Sequence, residues 1–234
     1  MTLTHILIFI AAALFYLALL PARWRAWALF VGSIVAIYWL QPATRIRTLD
    51  FIFPTATLAL VALAWLASRA PDQGWRREDT ASALLMAALV IALSLGRYIV
   101  PEYRITPSRP PAPATVALVV LATVALLALL RRVPRPNRRL AGPVLLFIVI
   151  VFVVLKTGPL AEATSGWIRE RMGQPAALAT AAELEWLGFS YVSFRLISTL
   201  RDRQTGRLPA MTLREYTTYA IFFPAYTAGP IDRA

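Results

Sequence analysis

A chain of 234 residues of which 59% are hydrophobic and only 15% charged is too apolar for a water-soluble fold, where about 45–50% and about 25% are usual. It has no cysteine, which excludes disulfides, thiolate catalysis and cysteine metal sites together. The net charge of +12 is spread over short connections instead of one soluble face, so no nucleic-acid partner is expected; such charge sets membrane topology and attracts anionic membrane lipids.

Six nearly charge-free blocks follow in order: Leu3 to Leu20, Ala26 to Leu40, Phe51 to Ala67, Ala81 to Leu95, Ala114 to Leu130 and Leu140 to Leu155. A helix needs about 20 residues to cross the hydrocarbon, and about 17 at the least. Each block therefore reads as a span, the shorter ones borrowing interfacial Trp, Tyr and Arg. Ala26 to Leu40 would cross with Trp24, Trp27, Tyr38 and Trp39 as its interfacial belts. The first block lacks a positive n-region and a cleavage pattern, so it reads as a retained span and not as a signal peptide. It holds the lone histidine, His5, which has no carboxylate or second histidine near it in sequence and reads as a polar residue at a membrane entrance. No metal site and no bound cofactor is expected.

The connections after the first, third and fifth blocks carry ten arginines (Arg23, Arg25, Arg69, Arg76, Arg77, Arg131, Arg132, Arg135, Arg138 and Arg139). Those after the second and fourth carry five (Arg45, Arg47, Arg97, Arg104 and Arg109). Positive charge in short loops stays cytoplasmic, which places the first set inside the cell membrane and the N-terminus outside. The segment YIVPEYRITPSRPPAPA is proline-rich and reads as an extended linker between two groups of spans.

Residues 1–155 thus form an N-terminal set of about six spans, and 156–234 differ in character. From Lys156 to Gln174 the chain is polar, and Trp167, Arg169, Glu170 and Arg171 suggest an interfacial amphipathic helix. A long helix is expected from Ala176 to Leu200, mixing Glu183, Glu185, Ser190, Ser193, Arg195 and Ser198 into an apolar background. Polar groups at membrane depth face a bundle interior or a wet cavity, so Ser190, Ser193 and Arg195 are candidate lining residues. Helical spacing puts Ser190 and Ser193 on nearly one face and turns Arg195 away from Ser193. Serine in such helices also commonly bonds backbone or a neighbouring helix. Glu183 and Glu185, about three turns away on the same helix, could not pair with Arg195 directly. Further on, Pro224, Gly229 and Pro230 interrupt a spanning-type stretch, so a broken helix anchored by Asp232 and Arg233 is expected, its freed carbonyls satisfied by protein or cavity water.

The ordered set of GFSYVSF, RD, FFP and AGPIDR between residues 187 and 233 resembles the central region of the membrane-bound O-acyltransferase (MBOAT) family, most closely its DltB-type branch for D-alanyl transfer to lipoteichoic acid. The resemblance implies a helical ring with a partly re-entrant broken helix, and a substrate channel lined by Ser190, Ser193 and Arg195. It also implies transfer of an acyl group, D-alanyl in that branch, from a thioester donor (carrier-protein phosphopantetheine or coenzyme A) to a hydroxyl of a cell-envelope polymer or glycan. An acyl carrier protein on the cytoplasmic side is the implied partner. The family's essential histidine, thought to be the general base, lies on a later helix, and no residue here matches it, so no catalytic residue is assigned within the chain. Since the sequence stops at Ala234, just after the motif, the expectation is an N-terminal half that needs a C-terminal half as partner. Two other classes stay open: a transporter or flippase, since broken helices and intramembrane charge also mark transport paths, and a non-catalytic membrane remnant.

Overall fold

The computed structural model describes residues 3–70, 73–99, 105–132 and 136–226, with the side chains of 3–6, 97 and 136–138 outside that description. Among these residues there are nine α-helices: α1 Leu3–Ala18, α2 Ala22–Leu40, α3 Leu49–Ser68, α4 Arg77–Ile99, α5 Pro113–Leu130, α6 Pro136–Lys156, α7 Gly158–Arg171, α8 Phe189–Gln204 and α9 Leu213–Ala220. Short 3-10 turns lie at Ala176–Leu178, Ala181–Leu184 and Phe223–Ala225, and no strand occurs among the described residues. Leu49–Ser68, Arg77–Gly96, Pro113–Leu130 and Arg139–Lys156 are long and apolar enough to cross a membrane, and Leu7–Ala18 adds a shorter apolar helix. The chain is an all-helical, polytopic membrane protein, as its apolar blocks require: in hydrocarbon each backbone must satisfy itself.

The axis of the bundle is α3, apolar but for Asp50, Thr55, Thr57 and Ser68, with 72% of its spanning window buried against 11% for α5. Helices α2, α5, α6, α8 and α9 all pack on it. Dispersion and small-residue fit, not a water-driven collapse, hold such helices together. Along α3 the core is built from Phe51, Leu58, Val61, Trp65 and Leu66, met by Ile34 and Ile37 of α2 and by Val192 and Leu196 of α8.

Alternation of the helices sorts the connections onto two ends. At one end the Arg203 Nε donates to the Ser68 carbonyl at 2.5 Å, Trp65 and Gln73 both donate to the Met211 carbonyl, and Arg214 pairs with Glu78 at 2.8 Å. At the other end the Gln41 side chain donates to the Glu185 carbonyl at 2.7 Å and accepts from the Leu187 amide at 3.2 Å. Asp50, fully buried in the first turn of α3, accepts there from the amide and hydroxyl of Ser108 at 2.8 and 2.5 Å. The second half of the proline-rich connection is thus tied to α3, and α5 packs directly on α4.

Two local expectations are corrected. The helix expected from Ala176 to Leu200 starts only at Phe189; before it the chain makes two 3-10 turns, and α8 then runs on to Gln204. Gly188 in the left-handed region at φ 71° ends the turn segment, and the carboxylate of Glu183 is held by α7 instead of facing along a continuous helix. The tyrosine of the α2 belt is also misplaced: Tyr38 is fully buried and bonded to Thr55 of α3 at 2.8 Å, whereas Trp24 is exposed.

Candidate functional site

Polar side chains collect where α8, α9 and the turn after α9 meet. Helix α9 begins with a capping box, in which the Thr212 hydroxyl accepts from the Glu215 amide and the Glu215 carboxylate accepts from the Thr212 amide. Buried Asp79 of α4 accepts from the Leu213 amide at 2.9 Å, so another orphan donor of this first turn is met. After eight residues α9 stops at Ala220, and Pro224 sits in the 3-10 turn that follows. A helix ending inside the bundle exposes carbonyls with no intrahelical partner.

Arg195 meets them. It is buried, and its guanidinium donates to the carbonyls of Ala220 at 3.2 Å and of Tyr219 and Ala225 at 3.4 Å, with the Tyr219 ring 5.9 Å away. A cation at the negative end of a helix dipole is favourably placed, and the fork of an arginine suits divergent acceptors. Ser193, on a different face of α8, is also buried, and its hydroxyl has no hydrogen-bond partner among the described residues; the same holds for Ser33 of α2 and Thr217 of α9. Most intramembrane serines bond back to their own helix, so a buried hydroxyl that does not is unusual. Ser190 is half-buried and lines a separate cavity of about 310 Å³ with Lys156, Glu185 and Trp186. Of the candidates named from sequence, Gly229, Pro230, Asp232 and Arg233 lie outside the described residues, as does the side chain of His5.

The turn that closes the site brings two distant motifs into contact. A Cβ placed on Gly188 would lie 2.6 Å from two ring carbons of Tyr226, and φ there is 71°. Only glycine therefore permits both the turn into α8 and the approach of the Tyr226 ring. The segments GFSYVSFR (188–195) and FFPAY (222–226) meet at Gly188 with Tyr226 and, thirty residues apart, at Arg195 with Ala225.

Beside this site, sequence reading missed a buried clamp. Glu183 accepts from Arg169 Nε at 2.8 Å and from the Ser165 hydroxyl at 2.5 Å, and its other oxygen accepts from Arg169 Nη2. The Arg169 hydrogen bonds, helped by Ser165 and opposed by burial, hold the Glu183 carboxyl down at about 2. Its folded pKa lies below the unfolded value, so the stabilisation is fully present above the ordinary carboxylate range of about 4.3 and fades as pH falls through about 2. The clamp is therefore expected to survive mild acid. Thermal unfolding in detergent, followed from pH 7 to 2, should show a loss in the lowest part of that range which Glu183→Gln removes while lowering stability at neutral pH. An unchanged acid slope in the variant would show that other carboxylates control the transition.

No family model and no solved structure matches the chain. Over 60 residues it is 37% identical to a teichoic acid D-alanyltransferase of Streptococcus thermophilus (strain ATCC BAA-250 / LMG 18311), a match covering 26% of this chain and 14% of that protein. Over 50 residues it is 34% identical to a teichoic acid D-alanyltransferase of Lacticaseibacillus rhamnosus, covering 21% of this chain and 12% of that protein. These stretches support a relationship to that kind of transferase. The similarity spans well under a quarter of the relatives' length.

Proposed function

We propose that the chain is the channel-forming part of a membrane-bound O-acyltransferase of the D-alanyl transfer type. The observation that carries this reading is the meeting of the two motif segments: Arg195 of one holds the broken helix of the other, and Gly188 admits Tyr226. Partial identity to two teichoic acid D-alanyltransferases supports the same reading. In the reaction, the oxygen of an acceptor hydroxyl attacks the carbonyl carbon of an acyl thioester. The new C–O bond forms, the C–S bond breaks, and the thiol of a carrier protein or coenzyme leaves with a proton. Arg195 holds the broken helix in place, Ser190 lines the cavity with Lys156 and Glu185 that would form part of the acyl path, and buried Ser193 is the further candidate hydroxyl. The arginine-rich end, with Arg69, Arg131 and Arg203, faces the cytoplasm of the cell membrane and the carrier protein, and the N-terminus faces out.

A hydroxyl is a weak nucleophile at neutral pH, and a positioned base contributes about 10²–10⁴-fold. Arginine stays protonated and cannot serve, and Glu183 is committed to Arg169. The family resemblance implies a histidine as the base, and we assign it to a further polypeptide segment; Glu185, in the Ser190 cavity, is the alternative within the chain. The test is transfer of a labelled D-alanyl group from its carrier thioester into a teichoic acid acceptor, in vesicles holding residues 1–234 alone or with a second polypeptide bearing that histidine. Transfer is expected only from the pair. Robust transfer by residues 1–234 alone would overturn the assignment of the base; no transfer from either would overturn the acyltransferase reading.

A further inference from the structure

An apolar groove made of three adjoining cavities runs up the seam between α3 and α5, with α4 forming part of its wall. Three cavities share their walls in sequence. Thr55 and Ala59 of α3, with Thr123 of α5, line both the first, of about 410 Å³, and the second, of about 60 Å³. Ala62 and Leu127 line both the second and the third, of about 120 Å³. From Thr48 at one end to Leu66 at the other, α3 rises about 27 Å at ~1.5 Å per residue, close to the ~30 Å hydrocarbon thickness. Small residues on membrane helices ordinarily let backbones close on one another. Here they leave a slot.

The groove ends on charge. Trp75 and Arg131 form its wall at the arginine-rich end, and the guanidinium groups of Arg131 and Arg69 lie 5.3 and 5.5 Å from the Trp75 ring. Neither makes an ion pair with a carboxylate among the described residues. The Arg69 Nε is buried without a hydrogen-bond partner among them, while its Nη2 donates to the Gln73 carbonyl at 2.5 Å. Burial also holds the Arg69 guanidinium below its usual range, with Asp79 offsetting only part of that. A cation on the wall of an apolar slot at the level of a lipid headgroup, with a second cation on the same indole, is the complement of an anionic headgroup with its chain.

We propose that this groove holds one anionic phospholipid, its phosphate on Arg131 beside Trp75, with the positive charge of Arg69 nearby, and one acyl chain along α3 and α5. A helix from a second copy is a poor occupant, because a helix with its side chains is about 10–12 Å across and the middle of the slot offers about 60 Å³. A zwitterionic choline lipid would bring its own cation against the two arginines. The proposal is independent of the acyl-transfer reading.

The test uses the full chain reconstituted in vesicles of equal phosphatidylglycerol and phosphatidylcholine, extracted in detergent, with retained lipid identified by native mass spectrometry. The wild type should keep phosphatidylglycerol in clear excess. Arg131→Gln should cut that excess about fivefold, the scale of one basic residue at an anionic surface, while Arg131→Lys keeps most of it. Ala128→Phe, which fills the slot next to Arg131, should displace the lipid with the arginines intact. Circular dichroism checks the fold of each variant, and if Arg131→Gln does not fold, Ala128→Phe decides. Equal retention of the two lipids by the wild type would overturn the proposal. So would phosphatidylglycerol retention unchanged by Ala128→Phe, or a dimer that this variant dissociates without loss of lipid.

Discussion

Gly188→Ala is expected to destabilise the fold by about 2–5 kcal/mol. Two costs add at this position. The backbone is left-handed, at φ 71°, and a Cβ in that region costs roughly 1–2 kcal/mol. The new methyl would also lie 2.6 Å from two carbons of the Tyr226 ring, and overpacking of this kind costs about 1–3 kcal/mol. Two other glycines separate the contributions: Gly173 and Gly206 share the positive φ, at 67° and 73°, but have nothing within 4 Å of a built Cβ. Alanine at either should therefore cost only the backbone part. Thermal midpoints in one detergent for the three variants would measure the difference. Equal losses at all three would mean that the Tyr226 approach contributes nothing, and the packing of the two motif segments would lose its main support.

The membrane class and helical fold were legible because they depend on block length and composition, which no tertiary contact can reverse in hydrocarbon. What sequence could not show was partner choice. Nothing near Asp50, Asp79 or Glu183 in sequence marks their partners: Ser108, Leu213 and Arg169 are 58, 134 and 14 residues away. Glu183 illustrates the failure. Its place in a helical pattern suggested a long helix, yet its pairing with Arg169 and Ser165, together with left-handed Gly188, draws the chain into turns. That the helix does not continue through Pro224 was legible, and it stops earlier still, at Ala220; the rest of the expected break, at Gly229 and Pro230, lies outside the described residues. The Thr212 and Glu215 capping box was a missed signal of the same helix's start, since its spacing is visible in the sequence. Arg195 was legible as a residue needing a polar interior, and the structure supplies it in the form of backbone carbonyls.

Those carbonyls make Arg195→Leu the second large effect. Leucine matches the apolar surroundings of α8 but leaves the acceptors of Tyr219, Ala220 and Ala225 without their cation. Hydrogen bonds to a charged donor contribute about 1.5–3 kcal/mol, and an acceptor stranded in a dry interior costs about 1–3 kcal/mol. A loss of roughly 3 kcal/mol is expected, concentrated on the end of α9 and the turn at Phe223–Ala225. Arg195→Lys should recover part of it: an ammonium keeps the charge at the helix end, but it is a point donor and cannot reach three divergent carbonyls with a planar fork. The graded order arginine, lysine, leucine is the signature of a helix-capping cation. It would be read in thermal midpoints and in hydrogen exchange of the Thr217 to Ala225 amides. On the proposed function, transfer should fall in the same order, because the broken helix would no longer be held against α8. Lysine equal to leucine in stability would remove the charge from the explanation, and a leucine variant as stable as wild type would show that the freed carbonyls are satisfied without Arg195.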